Sequence, residues 1–181
     1  MAAKKRKSRL FVFCGIPGSG KTTIARLVAA QLVSAVHIQT DTLRSMISGP
    51  DYSWAESQFI YASMFLVGRE ALKSGHDVIL DGTFLKEDYR SEAAEKMAGY
   101  YSAAFVVCVL CDPAVAWERN SRREAAVPEE SFERLASSFE EPRDAIFVHS
   151  DEQTAESSAS YVLSEVGGNH RSSGAPPIRA K

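Results

Sequence analysis

Short apolar runs alternate with amphipathic stretches along most of the chain. The apolar runs have the length of buried strands and cover residues 10–13, 35–38, 77–81, 104–110 and 145–149. Apolar residues at helical spacing predict helices over residues 23–32, 41–47, 54–73, 86–97, from 113 onward, from 128 to about 139, and over 154–166. Strands separated by helices form βαβ units, so the pattern predicts a three-layer αβα domain with a five-stranded parallel sheet. Ligands of such domains bind outside the carboxyl ends of the strands.

The two ends of the chain lack this periodicity. Lys4-Lys-Arg-Lys7 is a basic run, and Gly, Ser and Pro dominate the last residues. Segments of this composition bury too little apolar surface to fold. We therefore predict a basic flexible arm over residues 1–8, a folded domain over 9–166 and a disordered tail over 167–181. For the arm we favour a solvated tail over a nucleic-acid contact or a nuclear signal.

The composition fits one globular domain, because 45% of the 181 residues are hydrophobic. A net charge of -2 and a pI of about 6.1 argue against a surface built to coat nucleic acid, although they allow a local basic channel. No apolar run approaches the roughly 18 residues of a membrane span and no signal-peptide pattern opens the chain, so we expect a cytoplasmic location. Cys108 and Cys111 form a C-x-x-C without a second ligand pair nearby, and we interpret both as core cysteines.

The segment Gly15-Ile-Pro-Gly-Ser-Gly-Lys-Thr22 matches the phosphate-binding P-loop, G-x-x-x-x-G-K-[ST]. Its glycines allow backbone N–H groups to surround phosphate oxygens, and the next helix directs its positive end at the same anion. Lys21 is expected to reach the β- and γ-phosphates, and Thr22 to offer its hydroxyl to Mg²⁺. The alternative is a Gly/Pro turn with an incidental lysine, but a strand before the motif and a helix after it favour the P-loop. The predicted nucleotide-binding residues of this segment are Gly15, Pro17, Gly18, Ser19, Gly20, Lys21, Thr22 and Thr23.

Asp41 and Arg44 follow the second predicted strand. Their spacing places both on one face of the first turn of a helix. A carboxylate there can accept the proton of an attacking hydroxyl, while a guanidinium binds an anionic substrate group. Equally, Asp41 can simply cap the helix and pair with Arg44. The spacing alone leaves both interpretations open.

Asp81 closes the third predicted strand. An acidic residue at that position beside a P-loop usually serves Mg²⁺, directly or through a water, whereas the alternative is a turn or cap within Asp81-Gly-Thr83. We favour the metal role. Arg90, on the following helix, is a candidate for substrate binding or for a solvated surface position.

Three arginines, Arg119, Arg122 and Arg123, cluster near a helix end and are followed by a short segment before Pro128. Phosphoryl transfer spreads negative charge over the moving group, and arginines that close over it stabilise the transition state. Arginines three and four apart share a face and repel one another unless an anion lies between them. We therefore predict a helical lid over about residues 119–128, with at least one of the three arginines being an ordinary solvated side chain.

With these residues in view, the chain resembles the kinase domain of the 5′-hydroxyl polynucleotide kinases. It is similar to a wider group of small P-loop kinases that includes the seryl-tRNA kinase, zeta-type toxins and adenylylsulfate kinase. The resemblance covers roughly residues 9–142, and its pieces are Gly15 to Thr22, the D-x-x-R of Asp41 and Arg44, Asp81, and Arg119-Asn-Ser-Arg-Arg123 followed by Val127-Pro128. Two segments depart from the polynucleotide kinases. Asp81-Gly-Thr-Phe84 replaces their Asp-Thr-Asn, and residues 131–142 are nearer the seryl-tRNA kinase pattern.

The resemblance implies a P-loop NTPase fold and an ATP- and Mg²⁺-dependent kinase. It implies that Asp41 is the general base, that Arg44 binds the phosphate of the acceptor, and that Asp81 supports the metal and acceptor site. Arg123, with Arg119 or Arg122, would contact the donor phosphates. ATP is the default donor, because an N-K-x-D segment of the guanine-specific type is absent from the sequence.

Three functional hypotheses follow from the sequence. The first is a kinase that phosphorylates the 5′-hydroxyl of RNA or DNA. The second is a kinase with a small metabolite or sugar nucleotide as acceptor, favoured by the acidic balance of the chain. The third is an ATP-dependent switch without phosphotransfer, disfavoured because a switch does not need the pair formed by Asp41 and Arg44. The sequence leaves the oligomeric state open.

Overall fold

The computed structural model describes residues 8–48 and 53–167, in which strands and helices alternate as the apolar pattern predicts. The strands are β1 (Arg9–Cys14), β2 (Ala35–Gln39), β3 (Asp77–Asp81), β4 (Ala103–Leu110) and β5 (Ile146–His149). The helices are α1 (Lys21–Gln31), α2 (Thr40–Arg44), α3 (Trp54–Lys73), α4 (Glu87–Lys96), α5 (Pro113–Ser121), α6 (Glu129–Ser137) and α7 (Ala155–Gly167).

All five strands are parallel and lie in the order β2-β3-β1-β4-β5, which confirms the predicted sheet. The central strand β1 pairs with β3 on one side and β4 on the other. Phe13 is opposite Asp81, and Cys14 is opposite Cys108. The loop after β1 therefore leaves the sheet between the ends of β3 and β4. This is the topological switch point at which open α/β sheets bind ligands.

The two faces of the sheet bury separate apolar clusters, which confirms the three-layer architecture. Leu10 and Val12 of β1 belong to the cluster that α3 and α4 cover, whereas Phe11 and Phe13 belong to the cluster that α1 and α7 cover. All four side chains are fully buried. This alternation is the period of two that a strand imposes on its side chains, and it makes β1 the shared wall of both cores.

A third, smaller cluster lies beside the loop after β1. Ile16 of that loop packs with Ala116 of α5 and Phe132 of α6. Between the two helices, the buried Asn120 side chain donates to the Val127 carbonyl at 2.8 Å and accepts from the Val127 N–H at 3.2 Å. Apolar packing thus joins the helix–loop–helix of residues 113–137 to the loop after β1. The Asn120 side chain fixes the connection between the two helices. That it acts as a lid stays a prediction.

The remaining expectations concern the ends, the cysteines and membrane spans. Residues 1–7 and 168–181, which carry most of the predicted arm and tail, lie outside the described residues, while Ser8 is buried and donates to the Leu72 carbonyl. The core assignment is right for Cys108, whereas Cys111 is only partly buried and packs against the third cluster. None of the helices in residues 8–48 and 53–167 has the length and apolarity that a bilayer span requires.

We expect Asn120→Ala to loosen the connection between α5 and α6, because both polar groups of Val127 lose their partner. The free energy of unfolding should fall by about 1–3 kcal/mol, the usual cost of breaking buried hydrogen bonds. Chemical denaturation measures this loss, and amide hydrogen exchange should show faster exchange over residues 122–128. Ser121→Ala is the matched control, because the Ser121 hydroxyl is exposed and bonds only within its own helix, to Glu118 O. Equal exchange rates in the two variants would contradict the role of Asn120.

Candidate active site

The P-loop packs tightly between β4 and α5, and two of its glycines have no room for a side chain. Gly15 has a φ of 145°, and a Cβ there would lie 2.4 Å from Val109 O. Gly18 has a φ of 77°, and a Cβ there would lie 2.0 Å from Ala116 O. Both contacts are with backbone, which cannot move aside, so these two positions require glycine. The Gly15 N–H also donates to Thr83 O at 3.1 Å, which joins the loop to the segment after β3.

Lys21 is folded into this loop and is 8% exposed. Its Nζ donates to the Ile16 carbonyl at 2.8 Å and lies 3.5 Å from Ser19 Oγ. Burial lowers the pKa of the Lys21 ammonium below its ordinary value of 10.5, and the Asp81 and Asp41 carboxylates oppose that shift. Because α1 begins at Lys21, the helix directs its first N–H groups at the same point. A lysine and a helix N-terminus that meet at a glycine-rich loop are a combination that binds phosphate.

The other P-loop residues surround the same centre. Pro17 and Ser19 are buried, Thr22 is partly buried and Thr23 is exposed in the first turn of α1. The Gly20 backbone is left-handed, with a φ of 85°. Arg119 Nη1 lies 3.9 Å from the position of a Cβ at Gly20, so this arginine reaches the edge of the loop.

Asp41 is exposed and contacts the segment after α5 rather than its own helix. Its side chain is 71% exposed, and Oδ2 accepts from Arg123 Nη2 at 3.2 Å. The N-cap residue of α2 is Gln39, without a side-chain cap, and Arg44 forms its ion pair with Glu56 of α3. The alternative in which Asp41 caps α2 and pairs with Arg44 is therefore wrong. A carboxylate and an arginine that lie 82 positions apart in the chain meet instead.

Asp81 is 3% exposed at the end of β3. Its Oδ2 lies 3.1 Å from His37 Nε2, and the Nδ1 of that ring lies 3.4 Å from Gln39 Nε2. His37 and Gln39 were not among the predicted site residues. Their spacing of two on β2 puts them on one face, and a parallel register places Gln39 opposite Asp81. The spacing of His37 and Gln39 was therefore visible in the sequence. Relating it to Asp81 requires the knowledge that β2 and β3 are neighbouring strands.

Arg90 is 1% exposed, so the expected solvated position is wrong. Its Nη1 donates to Phe84 O at 2.7 Å, while Nε and Nη2 donate to Glu87 Oε2 at 3.2 and 3.0 Å. Phe84 is the one described non-glycine residue with a positive φ, 39°, a conformation that costs free energy. Arg90 thus supports the strained turn after Asp81 through Nη1 and pairs with Glu87 of its own helix through Nε and Nη2. A role of Arg90 in substrate binding stays a prediction.

The three arginines of the predicted lid do not share one face around an anion, because each has its own partner. Arg119 donates to the hydroxyl and carbonyl of Ser150, both at 3.1 Å. Arg122 is exposed and pairs with Glu118, which makes it the solvated member. Arg123 contacts Asp41. Arg119 and Arg123 therefore lie toward the P-loop and the D-x-x-R segment, and Arg122 lies outside.

The residues expected to bind Mg²⁺, Thr22 and Asp81, do not form a metal site by themselves. Residues 8–48 and 53–167 contain no group of three or more His, Cys, Asp or Glu side chains that could hold a metal ion. Mg²⁺ is usually bound through one or two protein oxygens, several waters and substrate phosphates. One hydroxyl in the first turn of α1 and one buried carboxylate opposite the end of β1 fit that mode of binding.

A family model for an AAA domain, AAA_33, matches residues 10–142. An uncharacterised protein of Mycobacterium tuberculosis is 38% identical over 108 residues, which are 52% of this chain and 22% of that protein. The match thus spans about a fifth of the length of this curated relative.

Solved structures with the same fold include kinases. The structure of the Mycobacterium tuberculosis APS kinase CysC in complex with AMPPNP and APS has a TM-score of 0.74 at 19% identity, covering 90% of this chain and 99% of that one. A chain of the Pnkp1/Rnl/Hen1 RNA repair complex has a TM-score of 0.64 at 20% identity, covering 76% of this chain and 45% of that one. These similarities show a P-loop kinase-type fold.

We expect Lys21→Met to abolish phosphate-dependent nucleotide binding without destabilising the protein. Since burial lowers the pKa of Lys21 below its ordinary value of 10.5, protonation of this side chain favours the unfolded state, and it costs stability at every pH below 10.5. An apolar side chain of similar length removes that cost, so Tm should stay level or rise by about 2–4 °C. ATP with Mg²⁺ should raise the Tm of the wild type and leave that of the variant unchanged in differential scanning calorimetry.

Arg26→Met, an exposed change on the same helix, is the control and should keep the response to nucleotide. A Lys21→Met protein that ATP still stabilises would contradict the assigned role of Lys21.

Proposed function

Because the chain belongs to the AAA_33 family of AAA domains and has a P-loop kinase-type fold, we propose that it is an ATP-dependent kinase that transfers the γ-phosphoryl group to a hydroxyl. One observation carries the proposal. A buried lysine is folded into a phosphate-binding loop, and an exposed carboxylate, Asp41, contacts an arginine of the neighbouring helix–loop–helix. A nucleotide switch needs the first feature but has no use for the second.

On the donor side, Lys21 and the amides of the P-loop bind the β- and γ-phosphates. Arg119 of α5, which Ser150 holds beside the loop, lies near the donor phosphates, and Arg123 reaches the moving group from the segment after α5. Mg²⁺ would neutralise charge on the donor phosphates, and Thr22 and Asp81 are the side chains that we assign to it. Catalysis then rests on positioning and charge stabilisation, as is general for phosphoryl transfer.

On the acceptor side, Asp41 accepts the proton of the attacking hydroxyl. The acceptor oxygen forms a bond to the γ-phosphorus while the bond from that phosphorus to the β–γ bridging oxygen breaks, and ADP leaves. Arg123 has to release Asp41 for this step. The pair is exposed, and exposed pairs contribute only about 0–1 kcal/mol, so a bound phosphate competes for Arg123 easily. Arg44 binds an anionic group of the acceptor while Glu56 holds it in place.

The first candidate acceptor is the 5′-hydroxyl of RNA or DNA. It is supported by the D-x-x-R of Asp41 and Arg44 and by the Arg119-Asn-Ser-Arg-Arg123 segment, which resemble the polynucleotide kinases. The similarity of the fold to a chain of an RNA repair complex agrees with this candidate.

The second candidate is a small anionic metabolite with a hydroxyl group. The fold similarity covers 99% of the APS kinase chain, compared with 45% of the chain from the RNA repair complex. The match therefore spans nearly the whole of that small-molecule kinase chain and 90% of this one. The acidic net charge of -2 supports the same candidate, because a long polyanion is repelled by it.

We expect label from γ-labelled ATP to appear on a hydroxyl acceptor, and Asp41→Asn to reduce kcat by about 10²–10⁴-fold, the usual loss when a general base is removed. The assay presents 5′-hydroxyl RNA and DNA oligonucleotides and a panel of phosphorylated and sulfated metabolites. Rising salt should weaken transfer to an oligonucleotide strongly and transfer to a small molecule much less.

Asp144→Asn is the matched control, since Asp144 is another exposed carboxylate outside the site, and it should retain full activity. Transfer that is equally fast in Asp41→Asn would contradict the role of Asp41. Nucleotide binding without transfer to any acceptor would contradict the kinase and favour an ATP-dependent switch.

A further inference from the structure

Three polar side chains form a hydrogen-bonded row across the ends of β2 and β3. The row runs from the Gln39 amide to His37 and from His37 to the Asp81 carboxylate, with distances of 3.4 and 3.1 Å. His37 and Asp81 are 11% and 3% exposed. The two strands are paired in register, with Gln39 opposite Asp81, so the backbone of the sheet holds the row together.

The atom types determine which group donates and which accepts in each of the two hydrogen bonds. The amide nitrogen of Gln39 can only donate, so the Nδ1 atom of His37 is the acceptor. The ring proton then lies on Nε2, which donates to Asp81 Oδ2. Within residues 8–48 and 53–167, this is the one hydrogen bond to the Asp81 carboxylate. One carboxylate oxygen is thereby fixed, and Oδ1 is left for a water or a cation.

The row differs from an ordinary contact between strands because its Asp81 end lies beside the P-loop. Asp81 belongs to the face of the sheet that α1 covers, because its strand neighbour Ile79 packs with Ile24 and Val28 of that helix. The Asp81 carboxylate is close enough to Lys21 to be the largest opposing influence on the lowered pKa of that lysine. The buried Asp81 carboxylate therefore lies near Lys21 of the P-loop. His37 of β2 contacts this carboxylate from the side away from β1.

We infer that His37 is a positioning residue that fixes the Asp81 carboxylate toward the Mg²⁺ of the bound nucleotide, and that Gln39 sets the tautomer of His37. This rests on the proposed function only as far as Mg²⁺-dependent nucleotide binding is concerned. The residues around metal sites that orient a ligand typically change metal affinity by about 10–100-fold when they are removed.

The test compares His37→Leu, which removes the donor, with His37→Gln, whose side-chain amide can donate near the position of Nε2. His76→Leu is the control, because His76 also bridges β2 and β3, through Ser34 at 2.6 Å, but at the opposite ends of these strands. The affinity of each variant for a fluorescent ATP analogue is measured in EDTA and over a titration with Mg²⁺. No acceptor and no turnover are needed.

We expect His37→Leu to need about 10–100-fold more Mg²⁺ for the same tightening of nucleotide binding, with the affinity in EDTA within about twofold of wild type. His37→Gln should recover most of the loss, and His76→Leu should behave as wild type. Asp81→Asn should show the same defect, and His37→Leu should add little to it, because the two side chains act as one unit.

An unchanged Mg²⁺ dependence in His37→Leu would overturn the inference, and so would an equal loss of affinity in EDTA, which would indicate a purely structural role. The two proposals fail separately. Normal Mg²⁺ coupling through His37 without any phosphotransfer would refute only the kinase, whereas phosphotransfer with a normal Mg²⁺ dependence in His37→Leu would refute only the positioning role.

Discussion

The site is organised around one buried group, the Lys21 ammonium, which the P-loop encloses and which donates to the Ile16 carbonyl. A buried charge is costly unless polar groups surround it, and here the P-loop supplies them. To close around the lysine, the loop has to turn back on itself between Val109 and Ala116, which is possible only with glycine at positions 15 and 18. The close packing of the loop against β4 and α5 therefore explains the glycine pattern, and the Lys21 side chain fills the space that the loop encloses.

The charges around Lys21 differ in how firmly they are held. Asp81 is buried at a strand end and supported by His37, so its position follows from the sheet. Asp41 and Arg123 meet on the surface across a gap of 82 residues. The first arrangement suits a group that has to stay in place near donor phosphates. The second suits groups that exchange partners when substrates bind.

The fold was predictable from the sequence to a large extent. The bounds of α3 and β3 agree with the apolar pattern at both ends, because buried strands and amphipathic helices have periods that a sequence displays directly. The P-loop was predictable for a similar reason, since its chemistry is contained in eight adjacent residues. The partners of Asp41, Arg44 and Arg119 were not, because these contacts join residues from different elements. Spacing along one helix allowed an Asp41–Arg44 pair as one of two alternatives, whereas tertiary packing brings Arg123 to Asp41 and Glu56 to Arg44.

The most direct test of a preformed phosphate site is a crystal structure with a non-hydrolysable ATP analogue and Mg²⁺. We expect the phosphates to lie inside the loop of residues 15–22, the loop backbone to keep its conformation, and the Lys21 ammonium to move from the Ile16 carbonyl to a phosphate oxygen. Phosphates bound elsewhere, or a loop that has to refold to admit them, would contradict the claim that this sequence builds a preformed phosphate site around Lys21.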